Sequence, residues 1–293
     1  MRTPTPRSLR SLVSVLAALV VVSAPARGDT GPKEIDNWAM DAQVGAIWNE
    51  GNSNSLAFSG ALNFKRDDTL NILKLGFKGT YVAGGDPPID ETLFAKTEAA
   101  NWQVTARYER NFGKPNTQGN RMNDVFAEAR VGGNPFAGYV LRPEATAGVG
   151  RYFVRIDKLE LRGEIGANYQ IEYEAVDPDP EATPKTDPIE YHFGPGRHYY
   201  GARAMLSIDE TVNQHVAFND SIEATASATP ERPKPGESTF RVLVTNIATL
   251  TVTLSARVNL KLINTFKVNT DPAPEAKSKW DNTLDLALSV RFL

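Results

Sequence analysis

Residues Trp280 to Leu293 read WDNTLDLALSVRFL. Taking every second residue, Trp280, Leu284, Leu286, Leu288, Val290 and Phe292 are apolar, and Asn282 alone breaks the row. The residues between them, Asp281, Thr283, Asp285, Ala287, Ser289 and Arg291, are small, polar or charged. Successive side chains of a strand point to opposite faces, so this stretch predicts a strand with one apolar and one wet face. A one-sided antiparallel sheet over a soluble core gives the same alternation. Two things favour a membrane barrel. The apolar row finishes on an aromatic, Phe292, with Leu293 running one past it, and the pattern recurs back to the N-terminal leader. Segments of about ten alternating residues, separated by turns and edged with aromatics, are the signature of a transmembrane β-barrel.

Working outward, the alternation picks out about twelve such segments. The first, Trp38 to Asn49, sends Trp38, Met40, Ala42, Val44, Ala46 and Trp48 to one face. The fourth sends Trp102, Val104, Ala106 and Tyr108 outward, with Asn101, Gln103, Thr105, Arg107 and Glu109 inward. The sixth, Tyr139 to Phe153, is interrupted by Pro143, Gly148 and Gly150, which predict a bulge or a tightly packed spot. The seventh alternates Leu159, Leu161, Ile165, Ala167, Tyr169, Ile171 and Tyr173 with polar residues. In the ninth, Asp220 falls on the apolar face. The aromatics Trp38, Trp48, Trp102, Tyr139, Tyr169, Tyr173, Trp280 and Phe292 fit interfacial girdles.

The expected fold is therefore all-β: an antiparallel transmembrane β-barrel of about twelve strands over residues 37–293. A leader precedes it. Arg2, Arg7 and Arg10 make a basic start, Leu12 to Val22 an apolar run, and Ala24-Pro25-Ala26 a cleavage site. Residues 1–26 read as a signal peptide and 27–36 as a short periplasmic segment. The chain has no cysteine, so neither a lipid anchor nor a disulfide scaffold is expected. A net charge of -3 gives no reason to expect a nucleic-acid partner. Past the leader, no run approaches the roughly 20 apolar residues of a spanning helix.

The connections divide by length. Short turns at 66–68, 156–158, 209–212 and 255–257 follow even-numbered segments. Long segments at 84–96, 175–197, 229–237 and 270–279 follow odd-numbered ones. Barrels in the outer membrane have short periplasmic turns and longer outer loops, which places both chain ends in the periplasm. Glu50–Ser53 and Gly113–Asn120 depart mildly from the rule.

Several local patterns carry a family likeness: Gly51-Asn52-Ser53 after the opening segment, Asn101-Trp102, Gly148-Val149-Gly150, and Leu260-Lys261-Leu262 before the terminal strand. Over about residues 37–293 the chain resembles the salt-induced outer-membrane proteins, whose defining domain has no assigned function. The resemblance implies a bacterial outer-membrane barrel and supplies no catalytic residues. The expected location is the Gram-negative outer membrane, reached through the Sec pathway. Outer-membrane lipid, lipopolysaccharide and the barrel-assembly machinery are the expected partners.

The inward row is rich in charge of both signs. Its candidates are Lys74, Lys78, Arg107, Glu109, Glu128, Arg130, Arg142, Glu160, Arg162, Glu164, Glu172, Arg203, Lys261, Asp285 and Arg291. Lys65, Glu144, Glu223, Arg241, Lys267 and Asp281 share their parity. Charges removed from water must be paired or hydrated. The main expectation is a structural or stress-responsive envelope barrel, its lumen plugged or narrowed by ion pairs. Glu160, Arg162, Glu164 and Glu172 would then be balanced chiefly by Arg142 and Arg203. The alternative is a diffusion pore for small solutes or ions. A rim hydrolase is a poor third. His192 and His198 close the long loop near Asp187 and Glu190, but no spacing marks a catalytic set among His192, His198 and His215. Asp177, Asp179 and Glu181 are spaced by prolines, which opposes a closed calcium cage. No enzyme activity, cofactor or resident metal is expected.

Overall fold

The computed structural model describes residues 38–49, 54–68, 70–85, 96–134, 138–176, 192–230, 239–270 and 280–292. The leader, residues 27–36, and the loop residues Asp177, Asp179, Glu181, Asp187 and Glu190 lie outside the described residues. Twelve strands run in chain order: β1 (Trp38–Asn49), β2 (Asn54–Asp67), β3 (Asn71–Gly85), β4 (Lys96–Pro115), β5 (Arg121–Asn134), β6 (Tyr139–Ile156), β7 (Leu159–Val176), β8 (His192–Asn213), β9 (Val216–Ala228), β10 (Phe240–Thr253), β11 (Val258–Asn269) and β12 (Trp280–Arg291). Each pairs antiparallel with its sequence neighbours, and β12 returns to β1, closing the sheet into a barrel. Closure removes the free edges that an open sheet would expose.

Parity decides which side chains face which solvent. On β7, Ile165 is 65% exposed while its neighbour Glu164 is 5% exposed. The inversion is systematic: Phe153, Trp280, Leu284, Leu286 and Leu206 lie bare on the outer wall, while charged side chains are buried inside. Burial of apolar surface from water drives folding, so an apolar outer wall makes sense only against hydrocarbon. This is the wall of a transmembrane barrel. Rings edge it at both ends: Trp102, Tyr200, Phe193 and Trp280 toward one rim, Trp38, Tyr108, Phe112 and Phe292 toward the other.

The polar breaks at Asp220 and Asn282 in the apolar rows are each answered by an outward-facing amide of a neighbouring strand. Asn246 on β10 donates to the Asp220 carboxylate at 2.6 Å, and Asn264 on β11 donates to the Asn282 carbonyl at 3.0 Å. A polar side chain facing lipid is costly unless it finds such a partner.

Two details of the sequence reading are corrected. Residues 192–197, read as the end of the long loop, form the start of β8, which pairs His192 with Val176. Gly194 and Gly196, which resemble loop residues, lie close under Val176, Glu174 and Tyr173, and that close packing lets the strand continue. Tyr139 is not a girdle residue. Its ring lies under the Arg142 guanidinium at 4.2 Å, among Glu172, Arg241 and Glu144 on the lumen side. A register shift between Tyr139 and Leu141 changes its face.

At one rim the described turns are tight: 157–158, 214–215 and 254–257, with 116–120 slightly longer. In the last, the Asn116 side chain accepts from the backbone N–H groups of Gln118 and Asn120, and Gly119 takes a positive φ of 82°. That local hydrogen bonding is how Asn seeds a turn.

Candidate functional site: the barrel lumen

Arginines on β4, β5, β7, β8 and β10 point inward because their parity leaves no other choice. What they meet there depends on closure. Arg107 of β4 sits at the centre. Its Nε donates to Glu109 at 2.7 Å, its Nη1 to Glu128 of β5 at 2.9 Å, and its Nη2 to Glu164 of β7 at 2.6 Å. Arg162 answers from β7, donating to Asp124 of β5 at 2.6 Å and to Glu109 of β4 at 3.2 Å. Glu109 Oε1 also accepts from Lys74 at 2.8 Å, so one oxygen serves three cations.

A second group lies beside the first. Arg130 of β5 grips Glu223 of β9 through both Nη groups, at 2.7 and 2.8 Å. Arg203 of β8 donates to the same carboxylate at 2.5 Å and lies 3.5 Å from Glu128. A third group joins Arg241 of β10 to Glu172 of β7 at 3.1 Å, with Arg142 at 4.0 Å. The pairs β4–β7, β5–β9 and β7–β10 are not neighbours in the sheet. They are chords across the lumen, and together they brace the arc from β4 to β10.

Charge burial of this depth needs compensation on every side. Glu109 and Asp124 are 0% exposed. Fork-shaped guanidinium pairing supplies several charge-assisted hydrogen bonds per arginine. Three lumenal rings add to it on the cation side: Phe126 lies 4.3 Å from the Arg107 guanidinium, Tyr152 5.1 Å from that of Arg162, and Tyr199 4.2 Å from that of Arg241. Cation–π contact of this kind is worth more once water is excluded. Gly150 leaves the space in which Asp124 reaches Arg162, since a Cβ there would stand 2.6 Å from the carboxylate. At Gly148, a Cβ would stand 2.1 Å from the Ile165 carbonyl, so β6 and β7 approach this closely only with glycine there.

The other inward candidates take less crowded places. Glu160 pairs with Arg155 at 3.3 Å near the tight-turn rim. Lys261 of β11 lies 3.7 Å from Asp41 of β1. Asp285 faces inward opposite Ile263, and Arg291 ends β12 opposite Asp41. Glu164 meets Arg107 and Arg162, with Arg203 at 4.0 Å, whereas Arg142 turns to Glu172. Sequence reasoning missed Arg107 as the partner of Glu164, and it missed the lumenal rings altogether. Phe126 shares parity with Asp124 and Glu128, which was the available signal.

The histidines lie elsewhere. His198 is on the outer wall of β8, its Nδ1 2.7 Å from the Tyr169 hydroxyl. His215 is exposed in the turn between β8 and β9. Among the described residues, no group of three or more His, Asp or Glu side chains is placed to hold a metal ion.

Residues 42–292 match the family described as "Protein of unknown function, DUF481". No curated protein matches the sequence. Solved structures with a similar course of chain include the COG4313 outer membrane channel from Pseudomonas putida F1, at 10% identity over 92% of this chain and 100% of that one, with a TM-score of 0.49. The translocator domain of the autotransporter NalP from Neisseria meningitidis is similar at 7% identity over 98% of both chains, TM-score 0.47. The NanC porin is similar at 9% identity over 86% of this chain and 99% of that one, TM-score 0.43.

Proposed function

The chain belongs to the DUF481 family, and from that premise we propose that it is a narrow channel of the bacterial outer membrane, constricted by its own arginine–carboxylate braces. The observation that carries this reading is the one-sidedness of the lumen. Chords from β4 to β10 close one side, while a cavity of about 420 Å³ opens along β1 to β4. A purely structural barrel gains nothing from leaving a void beside a filled half. A wide diffusion pore would keep its wall charges in water rather than bury them against one another.

The reading places the barrel in the Gram-negative outer membrane, delivered by the Sec pathway and the assembly machinery, with lipopolysaccharide around its outer leaflet. It is not enzymatic. It also takes up the salt-induced character that the family resemblance implies, so the protein should become more abundant in cells grown at high osmolarity.

Two measurements test it. Folded barrel, verified by different gel mobility before and after boiling, should give small, steady conductance steps in a planar bilayer. Large porin-like steps would mean the braces do not stand. Folded protein that carries no current would return the molecule to a structural role.

A further inference from the structure

The braces leave one strip of lumen wall without cross-links. It follows β3, and the cavity there is lined by Asp41, Asn63, Lys65, Lys74, Lys78 and Gln103. Most of these charges are committed. Lys74 is bound to Glu109 at 2.8 Å, Lys65 to Asp67 at 2.7 Å, and Asp41 lies 3.7 Å from Lys261. Lys78 differs. Among the described residues it has neither an ion pair nor a hydrogen bond.

The charges that act on Lys78 do not compensate it. Lys267, Arg130 and Arg142 are like-charged, and the opposing Glu223 is already held by Arg130 and Arg203. The ammonium therefore stands in a positive field at the wall of a confined space. Fixed charge acts on a passing ion far more strongly there than in bulk water. Neutral hydrogen-bonding groups flank it: Gln103 is its register partner on β4, and Asn63, whose amide donates to Asp41 at 3.2 Å and whose carbonyl is left to accept, stands two residues along β2 from Ala61, the register partner of Lys78 there. An ammonium beside amides suits a carboxylate that also carries hydroxyl groups. A cavity of about 420 Å³ has room for several carbons.

We propose that this strip is a binding site for small hydroxylated carboxylates, with Lys78 pairing the carboxylate and Gln103 and Asn63 holding hydroxyls. Its role in transport rests on the channel reading above, while the site itself does not.

The test uses the full mature chain folded in detergent, with gluconate as the probe and sorbitol, which has a hydroxymethyl group in place of the carboxylate, as the control. Titration calorimetry should show gluconate binding and no sorbitol binding. Lys78→Gln, checked by gel mobility to be folded, should weaken gluconate binding by about tenfold or more, the effect of one lost ion pair in a confined site. In a planar bilayer, gluconate should lower the chloride current of the wild type and not that of Lys78→Gln. Equal gluconate affinity in both proteins, no binding by the wild type, or equal binding of sorbitol would each overturn the proposal. A barrel that binds gluconate through Lys78 yet carries no current would overturn the channel reading and leave the site standing. A barrel that conducts without binding gluconate would do the reverse.

Discussion

The two sides of the lumen use different bases. From β4 to β10 the paired inward bases are all arginines: Arg107, Arg130, Arg142, Arg155, Arg162, Arg203 and Arg241. On β2, β3 and β11 the inward bases are lysines, Lys65, Lys74, Lys78, Lys261 and Lys267, and only Arg291 at the end of β12 departs from that choice. A guanidinium is a planar fork that satisfies two or three carboxylates at once, so it can tie walls together. An ammonium is a hydrated point charge on a flexible stem, better left in contact with water. The same alternation of apolar and charged residues thus builds a closed side and an open side, and the choice between the two bases decides which.

That contrast can be broken from the closed side first. Arg107→Ala should cost about 3–5 kcal/mol, because it takes the shared cation from three buried carboxylates at once and leaves Glu109, Glu128 and Glu164 only their remaining partners. Glu164→Ala should act in the same direction by stranding its basic partners. Urea unfolding of the folded barrel in detergent measures both. Arg107→Lys should recover only part of the loss; full recovery would mean that charge alone matters and the fork does not.

A smaller effect sharpens the comparison from the outer wall. Leu286→Arg, in the middle of the apolar row of β12, should cost about 2–4 kcal/mol. Asp285→Arg, one residue away and facing the open side of the lumen, should cost much less. Equal loss of folded barrel in both variants would refute the assignment of faces on β12.

The smallest change is expected on the open side itself. Lys261→Ala removes a long, part-buried contact with Asp41 and a long hydrogen bond to Gln43, and should cost less than about 1 kcal/mol in the same unfolding assay. A cost rivalling that of Arg107→Ala would erase the distinction between the two sides.

Much of this architecture was legible in the order of residues. Alternation from Trp38 to Phe292 identified the strands and their faces, because a period of two leaves a side chain only two directions. It even marked Asp220 and Asn282 as misfits, though not the amides of Asn246 and Asn264 that answer them. Pairing across the lumen was another matter. Glu164 was matched to bases on the adjacent strands, yet its main contact is Arg107, three strands away. Chord contacts depend on tilt and closure, which no local pattern carries. Lumenal aromatics were missed for a different reason. Rings in a membrane barrel are expected to face lipid, and Phe126, Tyr152 and Tyr199 instead lie against guanidinium groups.

The seam between β1 and β12 has a consequence for how the molecule is made. Eleven of the twelve strand pairings join consecutive strands, so each can form as a hairpin soon after its residues emerge. The twelfth joins Asp41–Gly45 to Ala287–Arg291, over five residue pairs where β1 and β2 share twelve. It must wait for the whole chain and carries the largest loop-closure entropy of any pairing. Gly45 is confined there, with Ser59 and Ala287 filling the space a side chain would need. Assembly therefore ends at this joint, and a bulkier residue at position 45 should slow the last step of insertion while leaving the hairpins already formed intact.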